Sequence, residues 1–454
     1  MTDPVWSGSE EILSERVLGT VLPCTCGREH RVLTRQVVIE VGIADRIPEI
    51  LPELIPGRRV LLLADKNTLE AAGNRLASAL EATHSVEVCR LPEDASGHIH
   101  ASVELADELD RSFPASCDLI AAVGSGTVND LAKELAHRRG LPYFVLATAA
   151  SMNGYTSAIV ALLENGLKTT RATTPPVAVF ADPQVLVEAP RELTLAGLGD
   201  LVSKPFCGCD WKISSLVKGE YYCPMPNRLL SEPFEQALEI FPRLSDDDPA
   251  AVTELFRLLL VSGISMSITG TSSPASGGEH LISHYWDMVR LRDGLPINLH
   301  GAQVGVGSLL MDELYREIFD QDFSRASFEP NPPIEEERQK IGQIFGSLAG
   351  AVWPQWSAKL GDRSERDLAS LVEHQTVIKD EIERTLATGS RVRRALGAAG
   401  APISAGQLGV TETELDAAIR HGRKIRTRFT VLDVAAEFGI LGSFADRLRD
   451  RGQS

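Results

Sequence analysis

Ala121-Ala122-Val123-Gly124-Ser125-Gly126-Thr127-Val128-Asn129-Asp130 holds the strongest structural signal in the first part of this chain. A short apolar run, 119–123, meets two glycines one residue apart, and a helical pattern over 128–137 begins at once. Gly124 and Gly126 allow a tight turn and a close approach of backbone to a ligand. A helix opening near Thr127 directs free N–H groups and the positive end of its dipole into that space, the setting in which a pyrophosphate is held. The third glycine of the dinucleotide fingerprint and the lysine of a phosphate loop are both absent. Taken alone, the segment therefore also reads as a glycine turn capped by a serine or threonine.

Outward from this turn, short apolar runs alternate with helical patterns. Strands are expected at 37–41, 60–64, 86–91, 119–123, 144–147 and 177–180, with helices between them such as 68–80. Each run is short, apolar on both faces and bounded by Gly, Pro or charge, as in a parallel sheet covered by crossover helices. Beyond about residue 190 the strand signals fade and long helical periods follow, at 249–269, 335–353, 366–387 and 412–426. The expectation is an α/β N-terminal dinucleotide-binding domain with a parallel sheet, 1–190, and an all-α metal- and substrate-binding domain, 191–454.

The 454 residues carry a formal charge of −17 with 24% charged and 43% hydrophobic residues. That balance fits a globular enzyme and speaks against a nucleic-acid partner, which needs clustered Lys and Arg. The first residues lack the basic start and apolar core of a signal peptide, and no apolar run reads as a membrane span. Seven scattered cysteines do not form a disulfide framework, so a reducing cytoplasm is expected. Cys24-Thr25-Cys26-Gly27-Arg28-Glu29-His30 offers three soft donors in seven residues. A closed zinc site needs four and no fourth lies nearby in the sequence, so a hairpin turn with reduced thiols is expected.

Several side chains have chemistry to offer. Asp65 ends the strand 60–64, where a carboxylate can accept from a ribose hydroxyl or simply cap a helix. The loop 147–157 is small and rich in hydroxyls, suited to packing against a nicotinamide ring. Asp200, His280 with His284, and His300 stand in glycine-rich breaks of the helical part. Two imidazoles and a carboxylate suit a catalytic divalent ion, although a lone His is more often a satisfied core or surface residue. His280 and His284 are four apart and share a helix face, so either can be the ligand and the other an outer or relay group.

Together these segments resemble the sn-glycerol-1-phosphate dehydrogenase branch of the glycerol dehydrogenase, iron-containing alcohol dehydrogenase and dehydroquinate synthase-like superfamily. The motifs are GSGTVND (124–130), ATAASMNGYTS (147–157), KTT (168–170), FADP (180–183), GLGDLVSK (197–204), SPASGGEHLISHYWDM (273–288) and NLHGAQVGVG (298–307). The resemblance implies Asp200, His280 and His300 as ligands of zinc, nickel or iron. It also implies Gly124, Ser125, Gly126 and Asp130 on the nucleotide, with Thr148 and Ser151 nearer the nicotinamide. The implied activity interconverts dihydroxyacetone phosphate and sn-glycerol 1-phosphate with NADH or NADPH, in a homodimer or larger homo-oligomer.

In so acidic a chain the substrate phosphate needs local cations. Lys204, about one helical turn beyond Asp200, is the candidate, with Lys168 and Arg171 on the nucleotide side. One departure stands out: Asn153 replaces the usual Asp. Asn still hydrogen-bonds but cannot take up a proton at neutral pH, which leaves the true substrate open and makes His284 the alternative relay. Rival readings are a dehydroquinate synthase-type lyase, which carries Glu where Asp200 stands, and a non-catalytic nucleotide binder.

Overall fold

The computed structural model describes every residue except 1–5, 7, 95, 96, 98, 165, 166, 327, 453 and 454. Ten strands occur among the described residues: β1 Val21–Leu22, β2 His30–Arg31, β3 Gln36–Ile39, β4 Arg59–Ala64, β5 Ser85–Arg90, β6 Leu119–Gly124, β7 Tyr143–Ala147, β8 Ile159–Glu164, β9 Leu167–Ala172 and β10 Ala178–Ala181. Six of them form one sheet in the order β3-β10-β7-β6-β4-β5. Every pairing in it is parallel.

The four inner strands explain why the sequence reads as it does. β4, β6, β7 and β10 are buried along nearly their whole length, because helices cover both faces of a parallel sheet. Leu62, Ala121, Val123, Phe144 and Phe180 pack there with Ile47 and Leu51 of the helix Ile43–Leu54 and Leu76 and Leu80 of the helix Asn74–Glu81. β5 differs from the expectation of apolar cover on both faces. It is an edge strand, largely exposed, and its Ser, Glu and Arg show it. The antiparallel hairpin β8–β9 has no counterpart among the expected strands.

Two compact units make up the chain: Met1–Leu201 with Pro224–Ser272, and Val202–Cys223 with Ser273–Ser454. The expected single boundary near residue 190 therefore differs from the observed division. Helix Pro249–Thr269, read from the sequence as part of the helical half, packs in the first unit against the helices Arg191–Leu201 and Met225–Ala237. It is 21 residues long and apolar on all sides, long enough to cross a membrane by length and composition, and 78% of its most apolar window is buried within the protein. A helix apolar all round is a core helix when other elements surround it. The strands all belong to the first unit, and the second is helical among its described residues.

Candidate functional site

In the α/β unit the sheet order reverses between β4 and β6, because β5 lies outward from β4 while β7 and β10 lie on the other side of β6. Ligands of doubly wound sheets bind at the carboxyl ends of the strands flanking such a point. Ala64 pairs with Val123, so Asp65 and Gly124 leave the sheet side by side.

Gly124 is followed by Ser125 and then by the helix Gly126–Arg139. A Cβ on Gly124 would fall 2.6 Å from Val128 Cγ2, so only glycine lets the helix turn back this closely. A Cβ on Gly126 would meet only Met152, at an ordinary 3.5 Å. The Ser125 side chain makes no cap hydrogen bond, which leaves the first-turn N–H groups to an incoming anion. Asp65 caps the start of the next helix, accepting the Thr68 N–H through Oδ1 at 2.8 Å while Thr68 Oγ1 takes the Asp65 N–H. Of the two roles offered for Asp65, the helix cap is the one these bonds make.

Asp130 sits a turn into the helix. Burial pushes its carboxyl up, opposed by the charges of Lys133 and Lys168. Lys133, which the sequence reading missed, is fully buried, and its Nζ donates to Gly154 O at 2.7 Å, Ser157 Oγ at 3.0 Å and Ile159 O at 3.1 Å. It ties the helix to the loop 148–157, and burial brings its pKa down to about 8. Arg171 on β9 is committed to Glu164 at 2.8 Å and faces Glu134 at 3.8 Å. Lys168 lies on the same strand.

The loop is held from below by two glycines. A Cβ on Gly197 would overlap the Ala150 carbonyl, and one on Gly263 would overlap Thr156 and the Asn153 carbonyl. The helices Arg191–Leu201 and Pro249–Thr269 can therefore press against the backbone of the loop. Thr148 N donates to Gly124 O at 3.2 Å, joining the loop to the glycine turn, and Thr148 is buried while Ser151 is half-buried. Three residues after Gly197, the buried Asp200 accepts the Asn153 N–H through Oδ2 at 3.0 Å. Asn153 Nδ2 donates to Ser262 Oγ at 3.2 Å.

In the helical unit, helix Gly278–Arg292 carries His280 and His284, and His300 opens the helix His300–Phe319. A Cβ on Gly307 would crowd the Glu279 backbone at 2.8 Å, so the glycine permits the two helices to meet closely. The three imidazoles cluster: ring centroids are 5.2 Å apart for His280 and His300, 5.4 Å for His284 and His300, and 6.1 Å for His280 and His284.

Their tautomers follow from their partners. His280 Nδ1 lies 2.7 Å from Glu279 Oε1, which also accepts from Gly277 N at 2.6 Å and Cys207 Sγ at 2.9 Å. Burial opposes the charge on Glu279, but the hydrogen bonds from His280, Cys207 and Gly277 prevail and hold it at about 2. A carboxylate only accepts, so Nδ1 bears the hydrogen and Nε2 the lone pair. Ser283 Oγ spends its one hydrogen on Gln303 Oε1 at 2.7 Å and so accepts from His300 Nδ1 at 3.1 Å. His300 likewise keeps its Nε2 lone pair. This is how proteins orient imidazoles for a metal.

Glu279, Ser283 and Gln303 escaped the sequence reading, although all three lie inside quoted motifs; only the fold shows which neighbour each ring nitrogen has. Lys204 is not on a continuation of the Asp200 helix. That helix ends at Leu201, and Lys204 begins the helix Lys204–Lys218, its Nζ donating to Ser203 Oγ at 3.0 Å and Ala275 O at 3.3 Å.

The family to which the sequence of this sheet and glycine turn points is that of iron-containing alcohol dehydrogenases, whose model matches residues 38–190. Solved structures agree in fold. Glycerol dehydrogenase from Schizosaccharomyces pombe superposes with a TM-score of 0.57 at 17% identity, covering 92% of this chain and 91% of that one. The NADH-dependent butanol dehydrogenase A of Thermotoga maritima gives 0.56 at 14% identity, covering 90% and 96%. Glycerol-1-phosphate dehydrogenase (NAD(P)+) from Bacillus licheniformis is 30% identical over 427 residues, 93% of this chain and 94% of the relative. The Bacillus subtilis protein of that name is 33% identical over 306 residues, 67% and 76% of the two. The chain belongs to the glycerol-1-phosphate dehydrogenase family.

Proposed function

We propose that this chain interconverts dihydroxyacetone phosphate and sn-glycerol 1-phosphate, using NADH or NADPH and one divalent ion, zinc, nickel or iron, on Asp200, His280 and His300. The observation that carries it is the pair of imidazoles whose Nδ1 atoms are engaged by Glu279 and Ser283, leaving both Nε2 lone pairs for a cation. The names of the Bacillus relatives support the substrate and the cofactor. Asp200 enters from the resemblance. When bound, the metal supplies Lewis acidity to the substrate oxygen.

The chain's own groups have distinct tasks. Gly124, Ser125 and Gly126 seat the pyrophosphate at the uncapped helix start. Asp65, with one carboxylate oxygen on Thr68, meets the ribose, and Asp130 and Lys168 border the nucleotide. Thr148 and Ser151 hold the nicotinamide, Lys204 neutralises the substrate phosphate, and Asn153 orients a substrate hydroxyl by hydrogen bonding. His284, stacked 5.4 Å from His300, relays the proton that completes the alcohol. Cytoplasmic location and a homo-oligomeric state belong to the same proposal.

The test is NADH and NADPH oxidation with dihydroxyacetone phosphate, on protein reloaded separately with zinc, nickel or iron. Turnover lost on chelation, with sn-glycerol 1-phosphate as product, is expected. Lys204→Ala should raise KM for the phosphorylated substrate far more than for glycerol. Absence of turnover with all three metals would overturn the substrate assignment, and equal effects of Lys204→Ala on both substrates would overturn its phosphate role.

A further inference from the structure

The cysteine-rich turn near the N-terminus has no place in that chemistry, yet it is built with care. β1 and β2 form a hairpin of only two residue pairs, Val21 with Arg31 and Leu22 with His30, too small to hold itself together. Its connection carries Cys24 and Cys26, and Gly27 takes a left-handed φ of 81° that turns the chain back after Cys26. Cys26 Sγ thereby lies 3.2 Å from His30 Nε2. The Cys26 N–H points at Cys24 Sγ, 3.5 Å away, so the backbone draws the two sulfurs to the same side of the turn.

His30 is buried, 1% exposed, and its Nδ1 lies 2.7 Å from the carbonyl of Ile268. A carbonyl can only accept, so Nδ1 carries the hydrogen and Nε2 presents a lone pair to the sulfurs. The backbone carbonyl fixes this ring as Glu279 fixes His280, the usual device for orienting a ligating imidazole. The fourth donor comes from far along the sequence. Cys223, whose peptide bond leads into Pro224 where the chain re-enters the α/β unit, has its sulfur grouped with the other three, and all four donor atoms lie within 4.8 Å of one another. Around a tetrahedral ion with Zn–S distances of about 2.3 Å, donors stand roughly 3.7 Å apart, so this spacing suits such an ion. No disulfide joins any cysteine among the described residues.

We propose that Cys24, Cys26, His30 and Cys223 form a closed Cys3His structural zinc site, separate from the catalytic ion. Three soft thiolates and one imidazole in tetrahedral array select zinc over the harder divalent ions. The ion cross-links the hairpin to the segment entering Pro224, while His30 links it to the helix Pro249–Thr269. The expectation that no fourth ligand is at hand held only for the local sequence.

The test uses the full-length protein loaded with cobalt(II). A thiolate-to-cobalt charge-transfer band in the near ultraviolet, with strong tetrahedral bands in the visible, is expected in the unaltered chain and in His300→Ala, which lacks only the catalytic ligand. Cys26→Ser should lose the band and one metal equivalent and melt at a lower temperature. Because Cys26→Ser can fail to fold, the second measurement needs no substitution: a mercurial thiol reagent added to the zinc-loaded native protein should release one zinc equivalent, read with a chromogenic chelator. Cobalt-loaded protein without a thiolate band, or thiol modification that frees no zinc, would overturn the proposal. A band that persists in an inactive His300→Ala separates this site from the fate of the catalytic reading.

Discussion

Replacing Glu279 by Gln alters the charge of one buried group while keeping its outline. Oε1 of Glu279 receives the His280 ring at 2.7 Å, the Gly277 N–H at 2.6 Å and the Cys207 thiol at 2.9 Å. A Gln oxygen can accept from the same donors, but without the negative charge. Hydrogen bonds to charged groups contribute about 1.5–3 kcal/mol and neutral ones about 0.5–1.5. The His280 ring therefore loses roughly 1–1.5 kcal/mol of support for the orientation that presents its Nε2. For one ligand that amounts to about a tenfold loss of metal affinity, the low end of the roughly 10–100-fold range for such outer partners.

Affinity would be read by chelator competition on the purified protein. Melting of the metal-free form would be followed in parallel, because the new amide group occupies the buried Oε2 position, which has no partner among the described residues. Cys207→Ala serves as the control: it removes one of three donors and leaves the carboxylate, so affinity should stay within about twofold. Parent-like metal affinity in Glu279→Gln, or an equal loss in Cys207→Ala, would refute this role of the carboxylate.

Gly197→Ala should cost about 1–3 kcal/mol, the usual penalty of overpacking, since its Cβ would overlap the Ala150 carbonyl. A melting temperature lower by several degrees and weaker NADH binding are expected, and a parent-like melting curve would refute the clamp. His421, at the end of the helix Glu412–His421, is held down to about 4 by burial and then by Lys424 and Arg420. The unfolded chain then binds the extra proton between the ordinary value of 6.5 and about 4, so stability falls as the pH drops through that window. His421→Gln should flatten the slope of the denaturation midpoint against pH there, and an unchanged slope would show that the ring does not drive it.

How far the sequence could be read depended on how local each determinant is. The four inner strands were legible because doubly covered strands are short apolar blocks between glycines and charges. The edge strand β5 matched in position but not in burial, since a window cannot show which strand lacks a neighbour. His280, His284 and His300 could be picked out from their glycine-rich setting, but the roles of Glu279, Ser283 and Gln303 depend on side-chain distances no pattern contains. Lys133 passed as one more charge on an amphipathic helix; its burial comes from the loop folded over it. The helix Pro249–Thr269 was found with its observed limits and assigned to the wrong neighbours, because helicity is local and companionship is not.

That helix has a consequence for biosynthesis. The α/β unit is discontinuous: its chain leaves at Leu201, returns at Pro224, and closes only at Ser272. Until the ribosome has delivered this second segment, the loop 148–157 lacks the support of Gly263, and Asn153 lacks Ser262. A nascent chain at residue 201 is thus an unfinished core with exposed apolar surface, and domains fold as units once their last piece emerges. The segment that arrives late also carries the one helix among the described residues that is long and apolar enough to cross a membrane, which a membrane-insertion machinery would engage if burial were slow. Fragments ending near residue 201 should aggregate rather than fold, and the first ligand-competent intermediate during synthesis should appear only after Ser272 has cleared the exit tunnel.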